Sequence, residues 1–130
     1  MFAIEVQSSF SAAHALRLPG GALEPLHGHD FRITLRITAT SLDAVDTVVD
    51  FHEIEAALEL LISPWRNNNL NAIDPFRSTI NPSAERIAEY LGRQILPILR
   101  EIDPTNERNL KLREVRLTEA PGCLAVYLPD

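Results

Sequence analysis

The sequence predicts an α+β fold in which the elements follow the order ββααββ. Two segments near the amino terminus alternate with the period of a β-strand, and two central segments have the apolar period of an amphipathic helix. Two further strand-like segments follow them. The simplest packing is one four-stranded antiparallel sheet with two helices on one face. At 130 residues, the chain is expected to form a single domain spanning residues 1–130.

The first two strands are predicted at residues 2–10 and 29–40. Large apolar side chains have even numbers in the first segment and odd numbers in the second. Alternate residues of a strand point to the same side of a sheet, so each segment has one apolar face. Glycines and prolines between residues 19 and 25 predict a connecting loop. The two strands are therefore expected to pair in antiparallel fashion.

Two helices are predicted in the middle of the chain. The first begins at Asp50, a favoured N-cap residue, and ends before Pro64. Its apolar stripe comprises Phe51, Ile54, Leu58 and Leu61. The second begins at Asn81-Pro82, with asparagine as the N-cap and proline at the first helical position. Because proline has no backbone N–H, Pro97 predicts a kink or an early end of this helix.

The remaining segments complete the predicted order. The segment from Trp65 to Thr79 is polar and is predicted to be an ordered loop. A third strand carries alternate residues on one face, namely Val115, Leu117 and Glu119. Pro121-Gly122 is typical of a tight turn, and residues 123–128 are predicted to return as the fourth strand.

Composition and charge exclude several classes of function. The net charge of −6 argues against nonspecific nucleic-acid binding and against anionic membrane surfaces. The one cysteine, Cys123, cannot form an internal disulfide and is interpreted as a small buried hydrophobic residue. No apolar segment approaches the length of a membrane span, and no signal peptide is visible. We therefore expect a cytoplasmic protein.

Three of the four histidines fall where the first two strands would meet. His27 and His29 are two residues apart, so both continue the apolar face of the second strand, and His14 has the apolar parity of the first. If the strands pair, three neutral nitrogens surround one point, as in a catalytic zinc site with an open fourth position. A structural zinc is disfavoured, because no fourth cysteine or histidine lies nearby. His52 falls in the first turn of a helix and is interpreted as structural.

A longer pattern surrounds these histidines. It comprises Phe10-Ser-Ala-Ala-His14, Leu26-His-Gly-His-Asp-Phe31, Val48-Val-Asp-Phe51, Leu70-Asn71, Asn81-Pro82-Ser-Ala-Glu85 and Thr118-Glu119. Together these segments resemble the 6-pyruvoyl-tetrahydropterin and 6-carboxytetrahydropterin synthase family over nearly the whole chain. The resemblance implies the tunnelling fold (T-fold), a small-molecule pterin substrate and Zn²⁺ on the three histidines. It also implies a homohexamer, a dimer of trimers with active sites between subunits.

The resemblance assigns a role to Glu119. This residue ends the third predicted strand with its carboxylate on the apolar face, where a charge is costly unless it is paired. From the sequence alone, the simpler interpretation is an ordinary strand-end charge in water. The matching glutamate of the family accepts hydrogen bonds from the amino group and a ring N–H of the pterin. Glu119 is therefore the implied substrate-binding residue.

Glu24 is the candidate catalytic base. It lies three residues before His27, and a carboxylate near a metal-bound substrate can act as a general base, although spacing alone favours a solvated loop glutamate. The pyruvoyl and carboxy enzymes carry a catalytic cysteine a few residues before His-Gly-His, whereas this chain has Leu23 four residues before it. The segment instead resembles a Glu-x-x-His-Gly-His variant. That variant is associated with cleavage of dihydroneopterin triphosphate to the hydroxymethyl pterin used for folate.

A second departure from the family concerns the loop before Leu70-Asn71. The family usually has an Asp-His pair there that assists proton transfer, and Arg66 and Asn67 hold those positions here. Arginine stays charged and an amide does not exchange protons near neutral pH, so this relay is absent. Arg66 either binds a substrate phosphate or caps the loop, and the sequence supports both equally.

Two functions fit these observations. The favoured one is a zinc-dependent lyase acting on 7,8-dihydroneopterin triphosphate or a related dihydropterin. The alternative is a zinc-containing pterin-binding homologue with little or no turnover, which the loss of the cysteine and of the Asp-His pair favours. A zinc enzyme for a different planar heterocycle is a third and weaker interpretation.

Overall fold

In the computed structural model, which describes residues 1–78 and 80–130, five strands and two α-helices form the fold. The elements are β1 (Phe2–His14), β2 (His27–Ala39), α1 (Phe51–Ile62), β3 (Asn68–Asn69), α2 (Ala84–Ile102), β4 (Lys111–Ala120) and β5 (Cys123–Tyr127). The predicted α+β class and the order of the long elements are confirmed. Among the described residues, no helix is both long enough and apolar enough to cross a membrane.

The sheet has the strand order β3-β1-β2-β4-β5, so the predicted count of four strands was one too few. The four long strands are antiparallel, while the two-residue β3 runs parallel to β1 at Ala12 and Ala13. The additional strand is a pair of asparagines within the segment predicted as a loop. This strand is defined only by its backbone pairing with β1. Because both of its residues are polar, no apolar alternation could have predicted it.

One face of the sheet is covered by both helices. Even-numbered residues of β1 and odd-numbered residues of β2 point into the core, as their parity predicts, and α1 and α2 pack on that face. Fully buried members of this core are Phe31, Ile33, Leu35, Ile37, Ile54, Leu58, Leu91 and Ile95. The histidine positions lie at one end of this same face.

The first two strands extend further toward the histidines than predicted. Their register runs without interruption from Phe2 opposite Ala39 to His14 opposite His27. The predicted strands, 2–10 and 29–40, omitted the residues near the loop because small and polar side chains interrupt the apolar alternation there. The ladder continues through them because backbone hydrogen bonds do not depend on side-chain polarity.

The first helix begins as predicted. Asp50 is its N-cap, and its carboxylate accepts a hydrogen bond of 2.9 Å from the backbone N–H of His52. Ile54 and Leu58 are buried as predicted, but Phe51 is half exposed and Ile62 is buried at the end of the helix. The buried stripe therefore starts one turn later than the sequence indicated.

The second helix begins two residues later than predicted. Ser83, rather than Asn81, is the N-cap, and its hydroxyl accepts a hydrogen bond of 3.2 Å from the backbone N–H of Arg86. The helix continues through Pro97 to Ile102, so of the two predicted effects of this proline, a kink or an early end, the early end is excluded. Pro97 lies on the exposed side of the helix, where the carbonyl that loses its partner can turn toward water.

The segment predicted as a polar loop contributes to the core. Trp65, Leu70 and Phe76 are buried, and Trp65 packs against Phe10 with ring centroids 5.5 Å apart. Thr79, the last residue of that predicted loop, lies outside the described residues. The aromatic contacts fix this segment beside the histidine end of β1.

Candidate metal centre

Three imidazole rings meet where β1 and β2 end. His14 lies directly opposite His27 in the ladder, and Ala12 lies opposite His29. The ring centroid of His14 is 4.7 Å from that of His27 and 5.2 Å from that of His29, and the centroids of His27 and His29 are 4.9 Å apart. The sequence predicted this convergence from residue parity, and the structure brings all three predicted ligands together.

Backbone carbonyls hold two of these rings through their Nδ1 atoms. His14 Nδ1 is 2.7 Å from the carbonyl oxygen of Pro82, and His27 Nδ1 is 2.8 Å from that of Pro25. A carbonyl oxygen only accepts hydrogen bonds, so Nδ1 donates in each pair. In the neutral ring Nε2 then has a free lone pair, which is the state that a metal ligand requires.

The carboxylate of Glu119 joins the three histidines. Its Oε1 atom is 2.9 Å from His14 Nε2 and 3.4 Å from His29 Nε2. The β4–β5 register shifts between Thr118 and Ala120, and such a bulge redirects the side chain at that point. The sequence placed Glu119 on the apolar face but did not predict this contact, because the contact depends on the pairing of β4 with β2, two strands that are distant in the chain.

These four side chains fit a metal ion. One ligand atom from each of His14, His27, His29 and Glu119 lies within 4.8 Å of all the others. Tetrahedral zinc with bonds of about 2.0–2.1 Å would hold such atoms roughly 3.3 Å apart, so small side-chain movements suffice. His14 Nε2 is buried and has no hydrogen-bond partner among the described residues, although Oε1 of Glu119 is near. A cation at the centre of the group would satisfy this nitrogen.

Glu24 lies at the edge of the group. Its Oε1 atom is 3.9 Å from His27 Nε2 and accepts a hydrogen bond of 2.9 Å from the backbone N–H of Leu16. The backbone N–H of Glu24 donates to the carbonyl oxygen of Leu16 over 3.0 Å. These two bonds fix the loop so that the carboxylate faces the histidines from the side of His27. The structure thus brings the predicted base beside the centre without including it among the four side chains.

Two asparagine side chains hold the backbone that follows His14. Asn71 accepts from the N–H of Ala15 over 2.8 Å and donates to its carbonyl over 2.7 Å. Asn81 forms the same pair with Arg17, over 2.7 and 3.0 Å. Each amide thus replaces a neighbouring strand, and we name this arrangement the asparagine clamp. From the sequence, Asn81 was expected only to cap a helix, and an asparagine in a loop carries no signal for a distant backbone partner.

Arg66 lies away from the four side chains. Its guanidinium forms a two-point pair with Glu59, over 3.1 and 2.6 Å, and donates to the carbonyl oxygen of Ser9 over 2.9 Å. The hydrogen bond from Arg66 holds the pKa of Glu59 below its ordinary value and raises the pKa of Arg66. Of the two roles considered for Arg66, these contacts favour the capping of the loop.

Two residues set aside by the sequence analysis also lie apart from the centre. His52 has a side chain that is 88% exposed and is near Glu55 on the same helix, so it is not one of the grouped ligands. Cys123 is exposed, and its interpretation as a buried hydrophobic residue was wrong. It is the first residue of β5, the short edge strand, and directly follows a tight turn.

A cleft gives access to the centre. Its volume is about 510 Å³, and His29 and Glu119 line it together with Gly28, Asp30, Arg32 and the turn after Glu119. Clefts of this size accommodate small organic ligands. The side chains of His27 and His29 are 41% and 22% exposed, whereas that of His14 is 1% exposed, so a ligand would approach from the side of His27 and His29.

Comparison with known proteins agrees with the fold and the motifs. A family model described as 6-pyruvoyl tetrahydropterin synthase matches residues 3–130. The 6-pyruvoyl tetrahydropterin synthase of Caenorhabditis elegans superposes with a TM-score of 0.79 at 20% identity, covering 99% of this chain and 96% of that chain. The Plasmodium falciparum protein of the same name gives 0.73 at 18% identity, covering 97% and 96%.

A third similar structure is a mutant of the Plasmodium vivax 6-pyruvoyltetrahydropterin synthase. It superposes with a TM-score of 0.76 at 20% identity and covers 99% of this chain and 98% of that chain. In that mutant, a glutamate described as a catalytic residue is replaced by alanine. At these identities the structures establish the shared fold, and the family match rests on the sequence.

Proposed function

The chain belongs to the 6-pyruvoyl tetrahydropterin synthase family, and from that premise we propose that it is a zinc-dependent lyase. Its substrate in this proposal is 7,8-dihydroneopterin triphosphate or a related dihydropterin, and its product is of the 6-hydroxymethyl-dihydropterin type. The observation that carries the proposal is the group formed by three imidazoles and Glu119 at one cleft, with Glu24 beside it.

In this proposal, His14, His27 and His29 hold the zinc. Bound zinc would act as a Lewis acid that polarises the side-chain hydroxyls of the dihydropterin. The carbonyls of Pro82 and Pro25 fix the ring orientation of His14 and His27 and keep their Nε2 atoms free of protons. The burial of His14 excludes water from one side of the centre.

Glu119 orients the pterin ring in this proposal. A carboxylate that accepts two parallel hydrogen bonds from a planar amino and ring N–H pair fixes both position and angle. The position of Glu119 in the cleft beside His29 supports this role, because the ring would then lie within reach of the three imidazoles. The substrate side chain would extend toward the metal.

Glu24 is the proposed general base. It takes the proton of the second side-chain hydroxyl, counted from the ring. The bond between the first and second side-chain carbons then breaks, so that the second carbon leaves in an aldehyde that carries the triphosphate, while the electron pair stays on the first carbon and delocalises into the C6–N5 bond of the ring. Protonated Glu24 returns its proton to the first carbon, which gives the hydroxymethyl product. Its carboxylate lies 3.9 Å from His27 Nε2, so a group held at the metal would be within reach of it. The glutamate described as a catalytic residue in the Plasmodium vivax protein supports a catalytic role for a glutamate within this family. Neither Cys123 nor Arg66 has a catalytic role in the proposal.

The alternative is a zinc-containing pterin-binding homologue with little or no turnover. It is favoured by Leu23 at the position of the family cysteine, and by Arg66 and Asn67 in place of the Asp-His pair. Arg66 is paired with Glu59 and cannot relay protons. Turnover by the chain would then depend on Glu24 alone.

The test is incubation of the zinc-loaded protein with dihydroneopterin triphosphate, followed by mass spectrometry of the products. The proposal predicts 6-hydroxymethyl-dihydropterin, which a Glu24→Gln variant would not form. A 6-pyruvoyl or 6-carboxy product would retain the lyase class but reject the folate-type cleavage. Absence of any product, together with retained pterin binding, would favour the alternative.

A further inference from the structure

Glu119 lies closer to the histidines than the anchoring of a pterin requires. Glu119 lines the cleft, but its Oε1 atom is also 2.9 Å from His14 Nε2 and 3.4 Å from His29 Nε2, and ring binding does not account for these two contacts. The bulge between Thr118 and Ala120 redirects this side chain. The strand therefore presents Glu119 to the metal ligands.

The contact between Glu119 and His14 requires a positive group. His14 Nδ1 donates to Pro82, so Nε2 of the neutral ring and the carboxylate oxygen are two acceptors only 2.9 Å apart. Two facing acceptors repel unless a proton or a cation lies between them. His14 Nε2 has no hydrogen-bond partner among the described residues, which leaves its lone pair for a cation.

We propose that Glu119 alternates between two partners, serving as the fourth ligand of the metal in the pterin-free protein and leaving it to hold the pterin ring. This inference rests on the proposed function, since it needs a pterin as the second partner. In this proposal, Glu119 turns away from the metal when both of its oxygens align with the planar donor pair of the pterin ring. Binding of the ring would then open the fourth position.

This exchange couples substrate recognition to the state of the metal. A closed four-ligand shell is typical of structural zinc, and an open position is typical of catalytic zinc. The histidines provide three ligands in both states, and the position of Glu119 determines whether the fourth position is filled or open. The metal would be protected until a ring with the correct donor pair removes the carboxylate, so other hydroxylated molecules would not gain access to it.

The first experiment measures metal affinity without any pterin. The apparent Kd for Co²⁺ and for Zn²⁺ is determined by chelator competition for the wild type, Glu119→Gln and Glu24→Gln. Glu119→Gln lacks the fourth ligand, so its metal affinity should fall at least about tenfold. Loss of an outer-shell partner of a metal ligand already weakens metal binding by about this factor. Glu24→Gln is the matched control and should keep the wild-type affinity, because Glu24 is not among the four grouped side chains.

The second experiment follows the visible spectrum of the Co²⁺-loaded protein during titration with unsubstituted pterin. This probe has the ring donors but no side-chain hydroxyl, so a hydroxyl cannot cause the spectral change, and comparison with Glu119→Gln tests whether the ring acts through this carboxylate. The wild type and Glu24→Gln should show a change in the ligand-field bands that saturates with pterin occupancy. Glu119→Gln should lack this change at every pterin concentration, and circular dichroism would verify that each variant is folded.

Two results would overturn the inference. One is an unchanged metal affinity in folded Glu119→Gln, and the other is pterin binding to the wild type without any spectral change. Failure of the wild type to bind any pterin would reject the proposed function and the exchange together. The metal affinity of Glu119→Gln would still decide, independently, whether this carboxylate is a ligand.

Discussion

At the scale of single residues, the candidate centre depends on which ring nitrogen of each histidine faces inward. The Nδ1 atoms of His14 and His27 are engaged by the carbonyls of Pro82 and Pro25. The Nε2 atoms of these two rings therefore face each other and the carboxylate of Glu119. Lone pairs grouped in this way are unfavourable unless a cation lies between them. The tautomers thus follow from backbone contacts that the sequence alone does not show.

The first prediction concerns metal content. Purified protein should hold about one zinc per chain, because three histidines form one site. His27→Ala or His29→Ala should remove it, as measured by elemental analysis after dialysis. His52→Ala is the control, since this exposed histidine lies outside the group. Full zinc content in a variant lacking His14, His27 and His29 would disprove the site.

The second prediction separates the two glutamates. Glu24→Gln should lower turnover by about 100- to 10,000-fold, the usual contribution of a general base, while zinc content and pterin affinity stay near wild type. The amide oxygen of glutamine can still accept the hydrogen bond from Leu16, so the loop should keep its conformation. Glu119→Gln should instead weaken pterin binding at least about tenfold, or 1.4 kcal/mol. Full activity in Glu24→Gln would mean that another residue is the base.

At the scale of elements, the long β1–β2 ladder determines where the histidines meet. The register is uninterrupted from Phe2 opposite Ala39 to His14 opposite His27. A slip by one residue would move every side chain of one strand to the other face of the sheet. The apolar core of both strands therefore fixes the register, and through it the positions of the three histidines.

The third prediction concerns the asparagine clamp. Asn71→Ala leaves the backbone N–H and carbonyl of Ala15 without partners, which should cost about 1–3 kcal/mol for each buried group left unpaired. Because Ala15 follows His14, zinc affinity should fall by about tenfold as well. Asn68→Ala, in the same loop, is the control and should retain wild-type affinity. A loss of stability in urea without any loss of zinc affinity would limit the clamp to a structural role.

The fourth prediction concerns the turn before α1. Hydrogen bonds from the backbone and hydroxyl of Thr47 hold the pKa of Asp43 below its ordinary value of about 3.9. A carboxyl whose pKa is lowered by folding stabilises the protein above that ordinary value, and the effect disappears as the pH falls through the lower folded value.

Asp43→Asn removes this contribution. Between pH 6 and pH 3, the free energy of unfolding should therefore fall less in the variant than in the wild type. Urea unfolding at the two pH values measures the difference. Parallel pH dependence in the two proteins would show that Asp43 does not contribute.

At the scale of the whole molecule, the sheet has two edges with little protection. β3 covers β1 only at Ala12 and Ala13, and β5 ends the other side of the sheet. Exposed Leu124, Val126 and Leu128 add apolar surface near that second edge. Unpaired edges of this kind favour pairing with another chain.

The fifth prediction is that the protein assembles in solution. Light scattering coupled to size exclusion should report a species several times the chain mass of 14.5 kDa, and a homohexamer would give six times that mass. The sparsely covered sheet edges support this expectation. A strict monomer at micromolar concentration would count against a pocket shared between subunits.

The sequence alone was enough to predict the class of the fold and the convergence of three histidines, because both follow from local periodicity. Parity along two strands was enough to predict that His14, His27 and His29 share one side of the sheet. The N-cap at Asp50 could likewise be predicted from residues close to it in the chain. These features depend on residues close in the chain, whose geometry is fixed by the strand or helix itself.

Only the tertiary structure decided the contacts between distant segments. Oε1 of Glu119 is 2.9 Å from Nε2 of His14, which lies 105 positions earlier in the chain (119 − 14). Asn81 holds the backbone of Arg17 instead of capping a helix, and Arg66 pairs with Glu59. The polar side chains involved can hydrogen-bond in many ways, and the packing of the core selects one of them.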